Sequence, residues 1–267
     1  MLRALSALAG PDMGEERRYY GFDALRGGMM MLGLVIHSAM FYIVSPPPTM
    51  PITLDRNQSP LMDVLMHFVH AFRMPAFFLM AGFFASLLVD KRGTADMLKN
   101  RAARVLAPLV AGLFTVVPVS ILLWMSFAVS VRFGTHDLIP NLEQVRIVAM
   151  EAQDRLPEIK TPGALHLWFL YFLCLFYLAV PLLERIAQAV APADGKLGSG
   201  RSAWPLFAVL VVFTCATLWP FQGARVHEGF LTFIPRPHAL LYYGQFFVLG
   251  YFLNVSRAIG SMRLAHP

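Results

Sequence analysis

The sequence predicts an all-α integral membrane protein that crosses the bilayer about six times, with its N-terminus in the cytoplasm. Of its 267 residues, 57% are hydrophobic and 14% are charged, whereas about a quarter of the residues in a soluble domain are charged. The apolar residues fall into runs of roughly 20, the length that a helix needs to span a hydrocarbon core. Lys and Arg concentrate at the ends of these runs, as they do beside membrane-spanning helices.

Six apolar runs are long enough to form the spans. Five of them contain no Asp, Glu, Lys or Arg, and the second contains only Arg73. The runs cover approximately residues 27–44, 64–89, 105–130, 164–183, 202–224 and 237–256. In the second outer loop, residues 142–152 have the pattern of a short amphipathic helix on the membrane surface.

The distribution of basic residues predicts the orientation. With the N-terminus inside, the inner segments carry fourteen Lys and Arg residues and the outer segments carry seven. This excess predicts that both termini are cytoplasmic. The chain then divides into a cytoplasmic N-terminal tail (1–18), a transmembrane domain (19–256) and a cytoplasmic C-terminal tail (257–267).

The net charge of +6 does not indicate nucleic-acid binding, because the basic residues form no single patch. The expected partner is the lipid bilayer.

The first span contains two ionisable residues with a defined spacing, Arg26 and His37. Eleven helical residues turn through about 1100°, so the two side chains share one face, roughly 16 Å apart along the axis. Arg26 would lie at the inner membrane surface and His37 near the middle of the bilayer. A nearly neutral imidazole can act as a general base. The alternatives are an ordinary flanking charge and a structural hydrogen bond between helices.

The second span carries a polar stripe on its outer half. Its members are spaced four, three and three residues apart: Asp63, His67, His70 and Arg73. Because the first span runs outward and the second inward, Arg73 and His37 should reach similar depths. An arginine at such depth needs an anionic partner or water, which predicts a polar cavity open to the outside. The alternative is a structural arginine, held by carbonyl groups beside Pro75 or paired with Asp63.

At the inner end of the third span, Arg101 and Arg104 are spaced i and i+3, which places them on one face of an α-helix. Paired guanidinium groups bind phosphate well. The alternative is again a pair of flanking charges. His166, at the start of the fourth span, is weak evidence by itself.

Disulfide and metal chemistry are not expected. The two cysteines, Cys174 and Cys215, lie inside predicted spans. No group of His, Cys, Asp and Glu residues has the spacing of a metal site, so no metal is predicted.

Together these segments resemble the membrane acyltransferase-3 family, and more narrowly its glucan-succinylating branch. The resemblance extends from about Arg18 to Asn254. The matching stretches are Tyr20-Gly-Phe-Asp23-Ala-Leu-Arg26 with His37, His70-Ala-Phe-Arg73-Met-Pro onward to Gly82, Arg101-x-x-Arg104 with Pro108, His166-Leu-Trp-Phe-Leu170, and Tyr243-Gly-Gln-Phe-Phe-Val-Leu-Gly250. The family is expected to have about ten spans, so the domain at 19–256 is expected to be incomplete.

The resemblance implies a multi-pass protein of the bacterial cytoplasmic (inner) membrane. Such a protein moves an acyl group from cytoplasmic acyl-CoA, here succinyl-CoA or acetyl-CoA, to a hydroxyl of a periplasmic or cell-surface glycan. His37 would be the general base, while Arg73 and His70 would stabilise the oxyanion or orient the acceptor. Arg101 and Arg104 would hold the CoA phosphates. Arg26 would line the same inner mouth.

Two other interpretations remain open. In the first, the protein is a transporter or channel whose path is lined by His37, His70 and Arg73. The absence of a visible internal repeat and of acidic residues inside the spans argues against it. In the second, the chain is an inactive fragment.

Overall fold

The computed structural model describes residues 20–45, 55–135, 137, 139–155, 164–190, 204–218, 235 and 237–255. Every secondary-structure element in these ranges is a helix, which confirms the predicted class. Two described stretches, Tyr20–Tyr42 and Pro60–Phe133, are long and apolar enough to cross a membrane. A third is added if the bent pair Leu165–Leu178 and Val180–Ala189 forms one span. The count of six spans and the orientation stay predictions. The predicted tails, 1–18 and 257–267, lie outside the described residues.

The first two helices are tied together where the first ends and the second begins. Helix α1 (Tyr20–Ala39) continues into a short 3₁₀ turn (Met40–Tyr42). The Asp63 carboxylate then accepts hydrogen bonds from the backbone amides of Val44 and Ser45, at 2.8 and 3.1 Å. Helix α2 (Pro60–Arg101) begins where Ser59 caps its first turn and proline occupies the position that tolerates it.

Helix α2 is interrupted at Gly93, where φ is 79° and ψ is 164°. The apolar membrane segment ends before this break, and a shorter helical segment then carries the chain to Arg101. A π-helical turn (Ala102–Leu106) follows, and it leads into α3 (Ala107–Phe114) and α4 (Val116–Phe133). The predicted third span is therefore two helices. Pro118 contributes to the break, because it has no amide hydrogen to donate to the carbonyl four residues earlier.

Helix α4 ends at Gly134, which adopts a left-handed conformation with φ 69°. Helix α5 (Leu142–Arg155) then packs against α4, and Arg132 forms an ion pair with Glu151 at 3.3 Å. The short helix predicted in this outer loop is present.

The predicted fourth span is also bent. A 3₁₀ turn (Leu165–Leu167) precedes α6 (Trp168–Leu178), and α7 (Val180–Val190) follows at an angle of 43°. Pro181 explains the bend, because its ring obstructs the carbonyl four residues earlier and removes one helical hydrogen bond. The remaining described helices are α8 (Trp204–Leu218) and α9 (Pro237–Val255).

The core lies where α2, α6 and α9 meet. Two glycines allow α2 and α9 to approach backbone to backbone: a Cβ on Gly82 would lie 1.9 Å from the Phe247 carbonyl oxygen, and one on Gly250 would lie 1.9 Å from that of Leu79. Close approach at small residues is a common way of pairing membrane helices. A cluster of aromatic rings surrounds the fully buried Phe78: Trp168, Phe169, Phe172, Phe176 and Tyr243.

Candidate active site

Arg73 connects α2 to α1 within the apolar part of both helices. Its Nε donates a hydrogen bond to the carbonyl oxygen of Met29, at 3.1 Å. Its guanidinium lies against Gly33, where a Cβ atom would be 2.7 Å from Nη2. The side chain is half-buried, and no carboxylate pairs with it among the described residues. The cation is therefore held between α1 and α2 by uncharged groups.

His37 lies one helical turn outward from Gly33, so it is next to the Arg73 guanidinium. Arg73 and His166 are both near enough to the His37 imidazole for electrostatic interaction. His37 is exposed at the side of the described bundle. The structure thus brings together an imidazole and a guanidinium from two helices, with a second histidine in electrostatic range.

The other polar residues of α2 lie outward from Arg73. His70 is half-buried about one turn away. His67 forms a local hydrogen bond from Nδ1 to the Asp63 carbonyl at 2.6 Å. The Asp63 carboxylate binds the amides that follow α1, so it does not pair with Arg73. A carbonyl does hold Arg73, but it belongs to Met29 on the neighbouring helix.

A second group of cations lies at the opposite end of the bundle, near the start of α1 and the end of α2. The Arg101 guanidinium stacks over the Tyr177 ring, with Cζ 5.2 Å from the ring centroid. Arg26 lies over the Phe84 ring at 6.0 Å. Both arginines are close enough for their charges to act on Tyr177. Three helices, α1, α2 and α6, therefore converge on one positively charged region.

Arg104 has a different environment from Arg101. It lies inside the π-helical turn and its side chain is exposed, whereas Arg101 is half-buried. The wider π turn changes the angle between successive side chains, so the i, i+3 relation assumed for an α-helix does not hold there. The two guanidinium groups are near in sequence but differ in exposure.

Helix α1 links the two groups of residues. It is continuous from Tyr20 to Ala39, so Arg26 and His37 lie on one face about 16 Å apart along the axis. Arg26 and His37 are thus carried by one continuous helix.

Two residues of the site were not found from the sequence. Gly33 precedes His37 by four residues and so shares its face, and this spacing was a usable signal. Tyr177 is one of many aromatic residues in an apolar run, and nothing in the sequence distinguishes it. His166, which is weak evidence in the sequence, gains weight from its position near His37.

The fold and the site define a helical membrane protein whose apolar helices carry arginine and histidine side chains near one another. The chain belongs to the acyltransferase-3 family, since the family model described as an acyltransferase domain matches residues 19–266. Relatives named "Glucans biosynthesis protein C", from Escherichia coli O1:K1 / APEC and from E. coli O139:H28 (strain E24377A / ETEC), are each 24% identical over 250 residues.

The similarity covers 88% of this chain and 57% of each relative, so the chain spans little more than half their length. Their name agrees with the glucan branch that the sequence resembles. No solved structure matches the chain.

Proposed function

We propose that this protein is a membrane O-acyltransferase that uses His37 as its general base. The observation that carries the proposal is the placement of the Arg73 guanidinium between Met29 and Gly33, next to His37. General-base catalysis of acyl transfer needs an imidazole and a nearby group that stabilises the oxyanion. This pair supplies both on adjacent helices.

The reaction proceeds by direct transfer. His37 removes the proton from an acceptor hydroxyl, and the oxygen attacks the thioester carbonyl carbon of acyl-CoA. Negative charge develops on the carbonyl oxygen, where Arg73 stabilises it and His70 helps to orient the acceptor. The tetrahedral intermediate then collapses with loss of the CoA thiolate, which takes the proton from the His37 imidazolium. The products are the ester and free CoA.

The donor enters from the inner side. Arg101 and Arg104 bind the CoA phosphates through charge-assisted hydrogen bonds, and Arg26 adds positive charge at the same mouth. The pantetheine arm extends along α1 towards His37. The length of this helix between Arg26 and His37, about 16 Å, suits an extended chain that separates phosphates from a thioester.

The acceptor is a periplasmic or cell-surface glycan, and the acyl group is succinyl or acetyl. The names of the relatives favour a glucan.

The protein is a multi-pass component of the bacterial inner membrane with a cytoplasmic N-terminus. In a variant without native cysteines, a membrane-impermeant maleimide should therefore label Lys99→Cys only after the membrane is permeabilised, and labelling of intact cells would reverse this orientation.

The proposal is tested by measuring CoA release from acetyl-CoA and succinyl-CoA by the purified protein in detergent, with and without glucan. We expect glucan-dependent release, and we expect His37→Ala to lower it by at least about 100-fold. Arg104→Ala should raise the KM for acyl-CoA and leave kcat nearly unchanged.

His67→Gln is the matched control, because His67 lies on the same polar stripe, bonds through Nδ1 to the Asp63 carbonyl of its own helix, and has no role in the proposed reaction. It should retain near wild-type activity. Release that continues unchanged in His37→Ala, or no release from either donor, would contradict the proposal. Uptake of an anion by liposomes in the absence of release would favour transport.

A further inference from the structure

The Arg101 side chain is held by an aromatic ring rather than by an acidic residue. Its Cζ lies 5.2 Å from the Tyr177 ring centroid, within the range of a cation–π interaction. Neither ion pair of the described structure includes it. An aromatic face orients a guanidinium without neutralising its charge, so the full charge is available to an anionic ligand.

Tyr177 is itself fixed in the core. It is only 5% exposed, and its ring packs edge-on against that of Phe247, with centroids 5.6 Å apart. It also lies four residues before Pro181, at the bend between α6 and α7. The ring is therefore a rigid surface on which Arg101 rests.

Arg101 also has an unused hydrogen-bond donor. Its Nε is buried, and in the described part of the chain it has no hydrogen-bond partner. A buried donor without an acceptor is costly, so the guanidinium has bonding capacity that the described residues do not use. Arg26 on α1 is near enough to the same tyrosine for electrostatic interaction, so an anion bound at Arg101 would be near a second cation. A phosphate group has the charge and geometry to bind a guanidinium.

We propose that Tyr177 is a positioning residue that holds Arg101 against the phosphate groups of the acyl-CoA donor. This inference rests on the proposed acyltransferase function and deepens its donor site. It assigns the main phosphate contact to Arg101, which is half-buried and held in place, while the exposed Arg104 makes the weaker of the two contacts.

The test compares Tyr177→Phe, which keeps the ring, with Tyr177→Leu, which removes it. Binding of free CoA to the purified protein in detergent is measured together with KM and kcat for acyl-CoA. We expect Tyr177→Phe to behave as wild type. Tyr177→Leu should raise the Kd for CoA and the KM by about fivefold or more, the size expected for loss of a partly buried cation–π contact, with kcat nearly unchanged. Phe172→Leu is the matched control, because it removes a fully buried ring from the same helix but not one under an arginine.

A merely structural role for Tyr177 is distinguished by repeating the measurements in an Arg101→Ala background. There Tyr177→Leu should have no further effect on CoA binding, because the residue acts through Arg101. If Tyr177→Leu binds CoA as wild type does, or lowers affinity equally with and without Arg101, the inference is overturned while the proposed function stands. If the wild-type protein binds no CoA, both are overturned.

Discussion

Gly33 is the residue of α1 that makes room for Arg73. A methyl group there would lie 2.7 Å from Nη2 and 3.0 Å from Cζ of the guanidinium. Since the obstructed atoms are at the end of a flexible side chain, Gly33→Ala should displace the guanidinium rather than the backbone. Misplacement of a catalytic cation by about 1 Å can cost up to about 100-fold in rate. We therefore expect kcat to fall by at least about tenfold with little change in the KM for acyl-CoA, as measured by steady-state CoA release.

Gly28→Ala provides the control on the same helix, because no described atom lies within 4 Å of the added methyl group. Both substitutions replace glycine inside a helix, which stabilises the helix by roughly 0.5–1 kcal/mol. Neither variant should therefore melt earlier than wild type. Equal rates for the two variants would show that Arg73 does not act at the position given by the structure.

At the scale of single residues, the sequence predicts the relative positions of side chains that lie on the same helix. The relation between Arg26 and His37 follows from helical geometry alone, and α1 is indeed continuous between them. The partner of Arg73 depends on how α1 packs against α2, so the sequence leaves Asp63 and a carbonyl as alternatives. Only the packed structure shows that Asp63 binds the amides after α1 and that Met29 receives Arg73.

At the scale of elements, Gly93 separates the membrane part of α2 from the segment that carries Arg101. Its φ of 79° with ψ of 164° belongs to a region that essentially only glycine occupies. Gly93→Ala should therefore cost about 1–3 kcal/mol. We expect a lower thermal unfolding temperature in detergent and weaker CoA binding, because the helical segment after the break would be redirected.

Gly134 provides a useful comparison, since its φ of 69° and ψ of 23° are left-handed helical values that asparagine also adopts. Gly134→Asn should be tolerated, with an unfolding temperature close to that of wild type. If Gly93→Ala is tolerated equally well, the break in α2 is not a fixed feature of the fold.

The elements themselves are predictable where hydrophobicity decides and less so where proline and tertiary packing intervene. The last apolar run, 237–256, corresponds closely to α9 (Pro237–Val255). The third and fourth runs are each broken, near Pro118 and Pro181. An apolar run predicts which residues face lipid, but it does not predict whether the helix is continuous. The π turn that separates Arg101 from Arg104 leaves no recognisable pattern in the sequence.

At the scale of the whole molecule, α2 is the element that joins both parts of the site. It carries Arg73 in its N-terminal half and Arg101 at its C-terminal end, and it packs against α1, α6 and α9. The two predicted functions of these residues, acyl transfer and donor binding, therefore depend on α2 keeping one position relative to its neighbouring helices. The contact with α9 provides that support, because the two backbones touch at Gly82 and Gly250.

Gly82→Ala should separate this helix pair. The added methyl group would lie 1.9 Å from the Phe247 carbonyl oxygen and 3.0 Å from the Tyr251 amide nitrogen, and these are backbone atoms that cannot rotate away. Overpacking typically costs about 1–3 kcal/mol, and here α9 must move as a whole. Gly244→Ala, also in the α9 interface region, would meet only the edge of the Phe176 ring at 3.4 Å. Thermal unfolding in detergent should therefore show a clear decrease for Gly82→Ala and little change for Gly244→Ala.

Because α2 holds both Arg73 and Arg101, Gly82→Ala should also weaken CoA binding and lower kcat together, whereas a variant at either arginine alone should affect mainly one of the two. Similar unfolding temperatures for the two glycine variants would mean that α2 and α9 are not in backbone contact, and the common support of the two sites would have to lie elsewhere in the bundle.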